Sequence, residues 1–314
     1  MKVRALCVMK NEADVIAQTL TDALRWCDEI FVLDNGSDDG GWEIVQALAA
    51  ADPRIVAHAR DTRAFTDDIR AVLYAAYSSR AVEGDWWCRL DADEFYLDDP
   101  GALLATVPQQ YFSVWSASLS YYFTDVDAER FSTDPAAFCD DVPVEEKCRY
   151  YLNHWSEPRF FRHARSVRWR EGDGGYPAEL WARQAWPQRV PLRHFPYRSP
   201  AQIQRRLDAR AAGAEFAHET ATGWADAVAA IRTTGAFVGG PPGAGPVTWR
   251  DRVVAASALD FDAHDGHFVL NERLMPPIPA PVTRSVRWRA ALRSAARGWR
   301  RRARALLRRP AGAR

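Results

Sequence analysis

The sequence predicts an α/β protein: a mixed sheet flanked by helices, then a less regular α+β region, then a basic amphipathic helix at the C-terminus. Three observations predict this class. Apolar, strand-like runs alternate with amphipathic stretches through the first hundred residues, the rhythm of parallel βαβ units. Several of those runs stop at acidic turns, and open α/β sheets bind ligands beyond the carboxyl ends of their strands. Finally, a chain of 314 residues that is 47% hydrophobic can bury one large core or two fused ones.

The elements follow in order. Val3–Val8 reads as a buried strand, and Glu12–Trp26 as a helix with Val15, Ile16, Leu20, Ala23 and Leu24 on one face. Ile30–Leu33 is a second strand running into Asp34, and Asn35–Gly41 is a polar, glycine-rich turn. Trp42–Ala51 reads as a helix, Ile55–Ala59 as a strand, Asp67–Val82 as a helix, and Asp85–Leu90 as a strand that ends at Asp91. Past Pro100 the rhythm changes. Phe112–Phe123 alternates as an antiparallel strand would, with strand-like pieces at Arg159–Arg162 and Val167–Trp169. Pro200–Gly213 and Thr222–Arg232 read as helices, and Gly239–Pro246 as a connection that breaks regular structure.

Composition removes several classes of function. No run of eighteen apolar residues exists, so no spanning helix is expected. Met1–Asp14 turns acidic too early for a signal peptide. Cys7, Cys27, Cys88, Cys139 and Cys148 are odd in number and form no C-x2-C pair, which predicts reduced thiols and a cytoplasmic protein. Residues 284–314 hold 12 of the 41 basic side chains and no acid, leaving 29 basic against 41 acidic in the body. A body that acidic is a poor partner for nucleic acid, whose phosphates require a cationic surface.

Two constellations carry chemistry. Asp91-Ala92-Asp93 leaves an apolar strand, and two carboxylates one small residue apart can converge on a divalent cation that in turn holds phosphate. A solvated acidic turn is the plain alternative. The second is Lys10-Asn11-Glu12-Ala13 followed by Leu33-Asp34-Asn35-Gly36-Ser37-Asp38-Asp39-Gly40, where an Asp at a strand end can accept hydrogen bonds from a ribose or a base. An ordinary βα turn would use the same residues for geometry alone.

Taken together with Phe65–Arg70 and Gly84–Tyr96, these segments resemble the family 2 glycosyltransferases of the GT-A fold. The resemblance is close over residues 1–100 and scattered to about 232. It implies a Rossmann-like mixed sheet and transfer of a sugar from a nucleotide diphospho-sugar, with a UDP-sugar as default donor, by an inverting reaction. It implies further that Asp34 and Glu12 serve the nucleotide, with Asp91 on ribose or metal and Asp93 on metal. Arg70 would lie near the diphosphate unless it is a plain salt-bridge partner. His194, in Leu192–Pro200, matches a His that can complete the metal site, and imidazole suits Mn²⁺ better than Mg²⁺. A His capping the turn ahead of Pro200 is the other reading. For the base that activates the acceptor, Asp173 and Glu157 are the candidates, with Glu171 and Glu179 behind them. The family carries a His near 174–176, where Gly174-Gly175-Tyr176 stands here.

His264 and His267 could ligate a metal but sit in a turn-like sequence. The tryptophans of 155–186 could line a sugar groove or fill a core. In the tail, Trp288, Leu292, Ala295, Trp299, Ala303 and Leu306 fall on one helical face opposite a dense arginine face. That pattern suits a helix lying on an anionic membrane, through 284–309 at the cytoplasmic leaflet, with a carbohydrate or lipid-linked acceptor. A tail that binds polyanions without specificity is the alternative. The expected organisation is a nucleotide-sugar half over 1–110, an acceptor half over 111–238, a linker and small region over 239–283, and the tail over 284–314. Activity in cell-envelope or extracellular polysaccharide or glycoconjugate synthesis would follow. The rival is a non-catalytic nucleotide- or glycan-binding protein on the same scaffold.

Overall fold

The computed structural model describes residues 1–211, 223–225, 259–270 and 275–281. The expected connection at 239–246, all but three residues of the expected helix at 222–232, and the tail at 284–314 lie outside the described residues.

The first unit alternates as the sequence predicts: β1 (Val3–Met9), α1 (Ile16–Ala23), β2 (Glu29–Asp34), α2 (Gly41–Ala51), β3 (Ile55–Arg60), α3 (Arg70–Tyr77) and β4 (Trp86–Asp91). Strands β1, β2, β3 and β4 are mutually parallel, with β1 between β2 and β4. Two expected helices are shorter than their periodicity suggests. Glu12–Val15 forms a turn before α1, and the stretch from Asp67 to Arg80 divides into a 3-10 turn, α3 and a second 3-10 turn.

The remaining elements are β5 (Glu94–Tyr96), α4 (Pro100–Thr106), β6 (Tyr111–Tyr122), α5 (Asp125–Thr133), α6 (Val144–Lys147), β7 (Tyr150–Trp155), β8 (Pro158–Arg162), β9 (Gln184–Ala185), β10 (Val190–His194), α7 (Pro200–Ala211) and β11 (Asp260–Phe261). Thr124 starts α5 with a reciprocal capping box to Asp127. The sheet runs β11-β7-β6-β8-β4-β1-β2-β3, with β8 antiparallel to both β4 and β6. Strand β10 lies parallel to β6 and antiparallel to β5, which carries His194 to a position opposite Glu94.

The expected strand Val167–Trp169 is irregular instead. Val167 and Trp169 are buried, and the Trp169 indole donates to the Gly174 carbonyl at 3.0 Å, so the alternation there marks core packing under a loop and not a ladder.

Apolar layers sit on both faces of the sheet. On one, Ile16, Leu20 and Ala23 of α1 and Val45 of α2 pack against alternate residues of β1, β2 and β4. On the other, Ala71, Leu73 and Tyr74 of α3 meet Leu6, Phe31, Leu33, Trp87 and Phe161. A third cluster joins Tyr121, Phe123, Tyr151, Phe195 and Ile203 beneath α5 and α7. Burial of this kind contributes roughly 25 cal/mol per Å² of apolar surface removed from water. Cys7, Cys27, Cys88 and Cys148 are buried free thiols and Cys139 is exposed. No helix among the described residues is long and apolar enough to cross a membrane.

Candidate active site

The register of β1 brings the expected residues to one end of the sheet. Met9 lies opposite Asp34 on β2, and Val8 lies opposite Asp91 on β4, so both acids sit at the carboxyl ends of parallel strands. The turns after β1 and β2 interlock: Asn11, in the left-handed region at φ 57°, accepts the Asp38 N–H through Oδ1, and its own N–H donates to Ser37 Oγ. The Asp34 carboxylate is fully buried; it accepts from the Ser37 N–H at 3.1 Å and from the Ser37 hydroxyl, and pairs with Arg60 at 3.2 Å.

Asp91 faces a different environment. Arg159 donates to one of its oxygens at 2.9 Å and Arg70 to the other, while Arg89 stands 3.9 Å away. Burial opposes ionisation of Asp91, but Arg159, then Arg70 and Arg89, outweigh it and hold the carboxyl well below the ordinary range. Arg159 also binds Glu94 and Glu157, the latter at 2.8 Å. Glu157 is further fixed by the Trp155 indole at 3.0 Å and the Tyr176 hydroxyl at 2.7 Å. Burial again opposes charge, and Arg159 with Arg89 brings Glu157 down to about 2. Glu94 moves the other way, up to about 8, because burial outweighs its pairing with Arg159.

Asp93 is buried beside the end of β10. Its Oδ2 lies 3.5 Å from His194 Nε2, 3.7 Å from Arg198 and 3.8 Å from Arg206. Burial disfavours the Asp93 anion, and His194, then Arg206 and Arg198, more than compensate, lowering it to about 2. His194 is raised in return: burial works against its protonation, and Asp93 prevails. Arg198 is fully buried and chelates Asp14 through two 2.8 Å bonds while also binding Glu12, which ties the turn after β1 to the segment after β10. Burial drives Glu12 up to about 7 against that pairing.

The structure therefore brings together Glu12, Asp34, Asp91, Asp93 and His194. Arg70 is buried under Asp91 and is its ion-pair partner. Asp173 lies in an exposed turn, where its carboxylate accepts the Arg170 N–H at 2.9 Å. That loop rests on the first ninety residues: Gly172 N–H donates to Asp68, Arg63 pairs with Glu171 at 2.9 Å, and Gly175 lies where an added Cβ would come within 3.1 Å of Arg89. His264 and His267 sit in an exposed turn in which Asp262 and Asp265 accept their own N–H groups. Sequence reasoning did not single out Glu94, Arg159, Arg198 or Arg206. Only Glu94 had a signal, its adjacency to Asp93; the arginines follow from tertiary pairing alone.

Among the described residues no group of three or more His, Cys, Asp or Glu side chains gathers around a metal position. Asp93 Oδ2 and His194 Nε2, at 3.5 Å, are nonetheless a donor pair that fits Mn²⁺ or Mg²⁺, ions that take few protein ligands and complete their shell with phosphate and water. Both Asp91 oxygens are occupied by guanidinium groups, so Asp91 does not offer a free ligand.

The acids thus gather at the carboxyl end of a mixed α/β sheet, the edge at which open sheets of this class bind their ligands. Residues 6–174 match the family described as Glycosyl transferase family 2, and the chain belongs to that family. No curated protein matches the chain. Solved structures similar to it include the mannosyltransferase PcManGT from Pyrobaculum calidifontis in complex with GDP-Man and Mn²⁺, at 15% identity and TM-score 0.36 over 66% of this chain and 61% of that one. Another is S. aureus TarS 1–349, at 14% identity and TM-score 0.24 over 46% and 53%. A third is glucosyl-3-phosphoglycerate synthase from Mycobacterium tuberculosis with Mn²⁺, UDP and glucosyl-3-phosphoglycerate, at 14% identity and TM-score 0.26 over 51% and 56%. The chain spans between about half and three fifths of the length of these proteins.

Proposed function

We propose that this family 2 glycosyltransferase moves a sugar from a nucleotide diphospho-sugar, a UDP-sugar by default, to a hydroxyl of a carbohydrate or lipid-linked acceptor, with inversion. The observation that carries the reading is the Asp93–His194 donor pair beside Glu12 and Asp34 at the carboxyl end of the parallel strands. Asp34 and Glu12 hold the nucleoside, and Arg60 covers Asp34. Asp93 and His194 would hold Mn²⁺ or Mg²⁺, which when bound neutralises charge on the leaving diphosphate. Asp91 acts through its arginines as the fixed charge that orients the turn carrying Asp93. Asp173 takes the acceptor proton, the acceptor oxygen forms its bond to the anomeric carbon, and the bond from that carbon to the diphosphate breaks. Glu157, ionised and held by the Trp155, Arg159 and Tyr176 donors, serves that loop as a counter-ion. Functionally, 1–110 serves the donor, 111–238 the acceptor, 239–283 connects, and 284–309 meets an anionic membrane surface, which suits polysaccharide or glycoconjugate synthesis.

The test is calorimetric titration of UDP, GDP and dTDP with Mn²⁺ or Mg²⁺, alongside a nucleotide-sugar panel scored for release of nucleoside diphosphate. Asp93→Asn is expected to keep the fold and lose metal-stimulated release, and Asp34→Ala to weaken nucleotide binding. Wild-type release in Asp93→Asn with metal present would place the metal elsewhere, and unchanged affinities in Asp34→Ala would remove Asp34 from the nucleoside. For the tail, the full chain is expected to sediment with anionic vesicles and a chain ending at Val282 to stay in the supernatant. Equal partitioning would discard the membrane contact and leave the chemistry intact.

A further inference from the structure

We infer that Arg206, on α7, is the clamp for the nucleotide's diphosphate, a role the sequence suggests for Arg70. The inference rests on the glycosyltransferase reading above and names the group that grips its donor.

The cations around the site differ in how firmly each is already paired. Arg70 is 3% exposed and bonded to Asp91. Arg159 is bonded to Asp91, Glu94 and Glu157. Arg198 spends its donors on Asp14, Glu12 and the Phe195 carbonyl. Arg89 lies within 3.6–3.9 Å of Glu157, Asp67 and Asp91, and the Tyr176 ring covers it at 4.9 Å. Arg206 differs from all four. It is partly exposed, at 19%, and its nearest carboxylate among the described residues is Asp93, at 3.8 Å, beyond hydrogen-bond distance. Like those of Arg70, Arg89 and Arg159, its Nε is buried without a partner, and the side chain rests beside the Tyr197 ring at 5.8 Å.

The local charge then decides what ligand fits. Asp14 and Glu12 both bind Arg198 directly, which leaves Asp93 facing His194 and Arg206. A divalent cation on Asp93 and His194 would add positive charge to the patch that Arg206 already lines. The ligand that restores balance is a multiply charged anion, and a guanidinium fork matches two phosphate oxygens geometrically.

The experiment titrates wild type and Arg206→Gln with pyrophosphate, UDP, GDP, uridine and guanosine, all with Mg²⁺, and records thermal unfolding of both. Loss of a charge-assisted pair is expected to weaken pyrophosphate and at least one of UDP and GDP about 10- to 100-fold, with nucleoside affinities and melting temperature unchanged. Arg206→Lys, which keeps charge without the fork, is expected to fall between the two and carries the test if Arg206→Gln does not fold. Diphosphate affinities equal to wild type, or nucleoside affinities that fall as far as diphosphate affinities, overturn the clamp. A wild-type chain that binds pyrophosphate but neither UDP nor GDP, with pyrophosphate weakened in Arg206→Gln, sinks the donor reading, leaves Arg206 a pyrophosphate site and overturns its role on a nucleotide.

Discussion

Asp91 and Asp93 are separated by one alanine, yet their surroundings differ in kind. Around Asp91 the charges form a closed lattice: Arg70, Arg159, Glu94, Glu157, Trp155 and Tyr176 contact one another through short, directed bonds. Around Asp93 the cations stand 3.5–3.8 Å away, and none makes a tight pair with it. Satisfied buried ions specify geometry, because removing one partner strands the others in a low dielectric. Loosely surrounded ions can exchange partners for a ligand at little cost. The first carboxylate of the motif thus builds the site, and the second is available to use it.

The largest effect expected from this difference is at Arg159. Arg159→Leu removes the guanidinium that neutralises three acids, of which Glu94 is fully buried and the other two mostly so, and breaking a buried pair costs about 3–5 kcal/mol. Denaturant unfolding of that variant should show a loss of this order, while Arg206→Gln in the open cluster stays within about 1 kcal/mol of wild type. Similar losses in the two variants would erase the contrast between closed and open clusters.

A smaller effect is expected from pH. Glu157 is held at about 2 in the fold against an unfolded value of 4.5. A depressed carboxyl stabilises above its unfolded value, and that contribution is lost as pH falls from about 4.5 toward 2. One pKa unit is worth about 1.4 kcal/mol, so the full contribution is bounded at about 3 kcal/mol, most of it lost below pH 4. Glu157→Gln should be less stable than wild type at pH 7, with the gap narrowing between pH 5 and 3. A gap constant across that range would show that Glu157 is not the ionised counter-ion of Arg159.

How much of this was legible follows the same divide. Strands β1 to β4 and their helices were readable because each strand is a continuous apolar run and each helix keeps a 3.6-residue stripe. Asp34, Asp91 and Asp93 were visible because they terminate such runs. Val167–Trp169 misled because alternation also arises where a loop tucks Val and Trp under Trp87 and Phe161. Strands β5 and β10 escaped because they are short and pair across nearly a hundred residues, which local pattern does not encode. The arginines escaped for a related reason: nothing local distinguishes Arg159 or Arg198, buried and ion-paired, from the many exposed arginines of the same chain. A burial signal for a charged residue exists only in its partners, and those lie far away in sequence. Arg70 illustrates the converse: the motif allowed it either the diphosphate or a plain salt bridge, and the fold gives it an ion pair with Asp91.

The smallest structural effect is expected at Asp173, which belongs to neither cluster. Its carboxylate accepts the Arg170 N–H in an exposed turn, and the amide oxygen of Asn can accept the same bond. Asp173→Asn should therefore unfold within about 0.5 kcal/mol of wild type. The proposal gives Asp173 a chemical task as well, and an amide cannot take a proton from an acceptor hydroxyl. A lost general base typically lowers turnover about 10²–10⁴-fold. The informative result is thus a split: unchanged melting and unchanged nucleoside diphosphate affinity, with transfer to the acceptor reduced by that factor. Transfer within a few-fold of wild type would reduce Asp173 to the turn it visibly closes. The base would then be sought among carboxylates on the same loop, Glu171 first, because its pairing with Arg63 is exposed and easily exchanged.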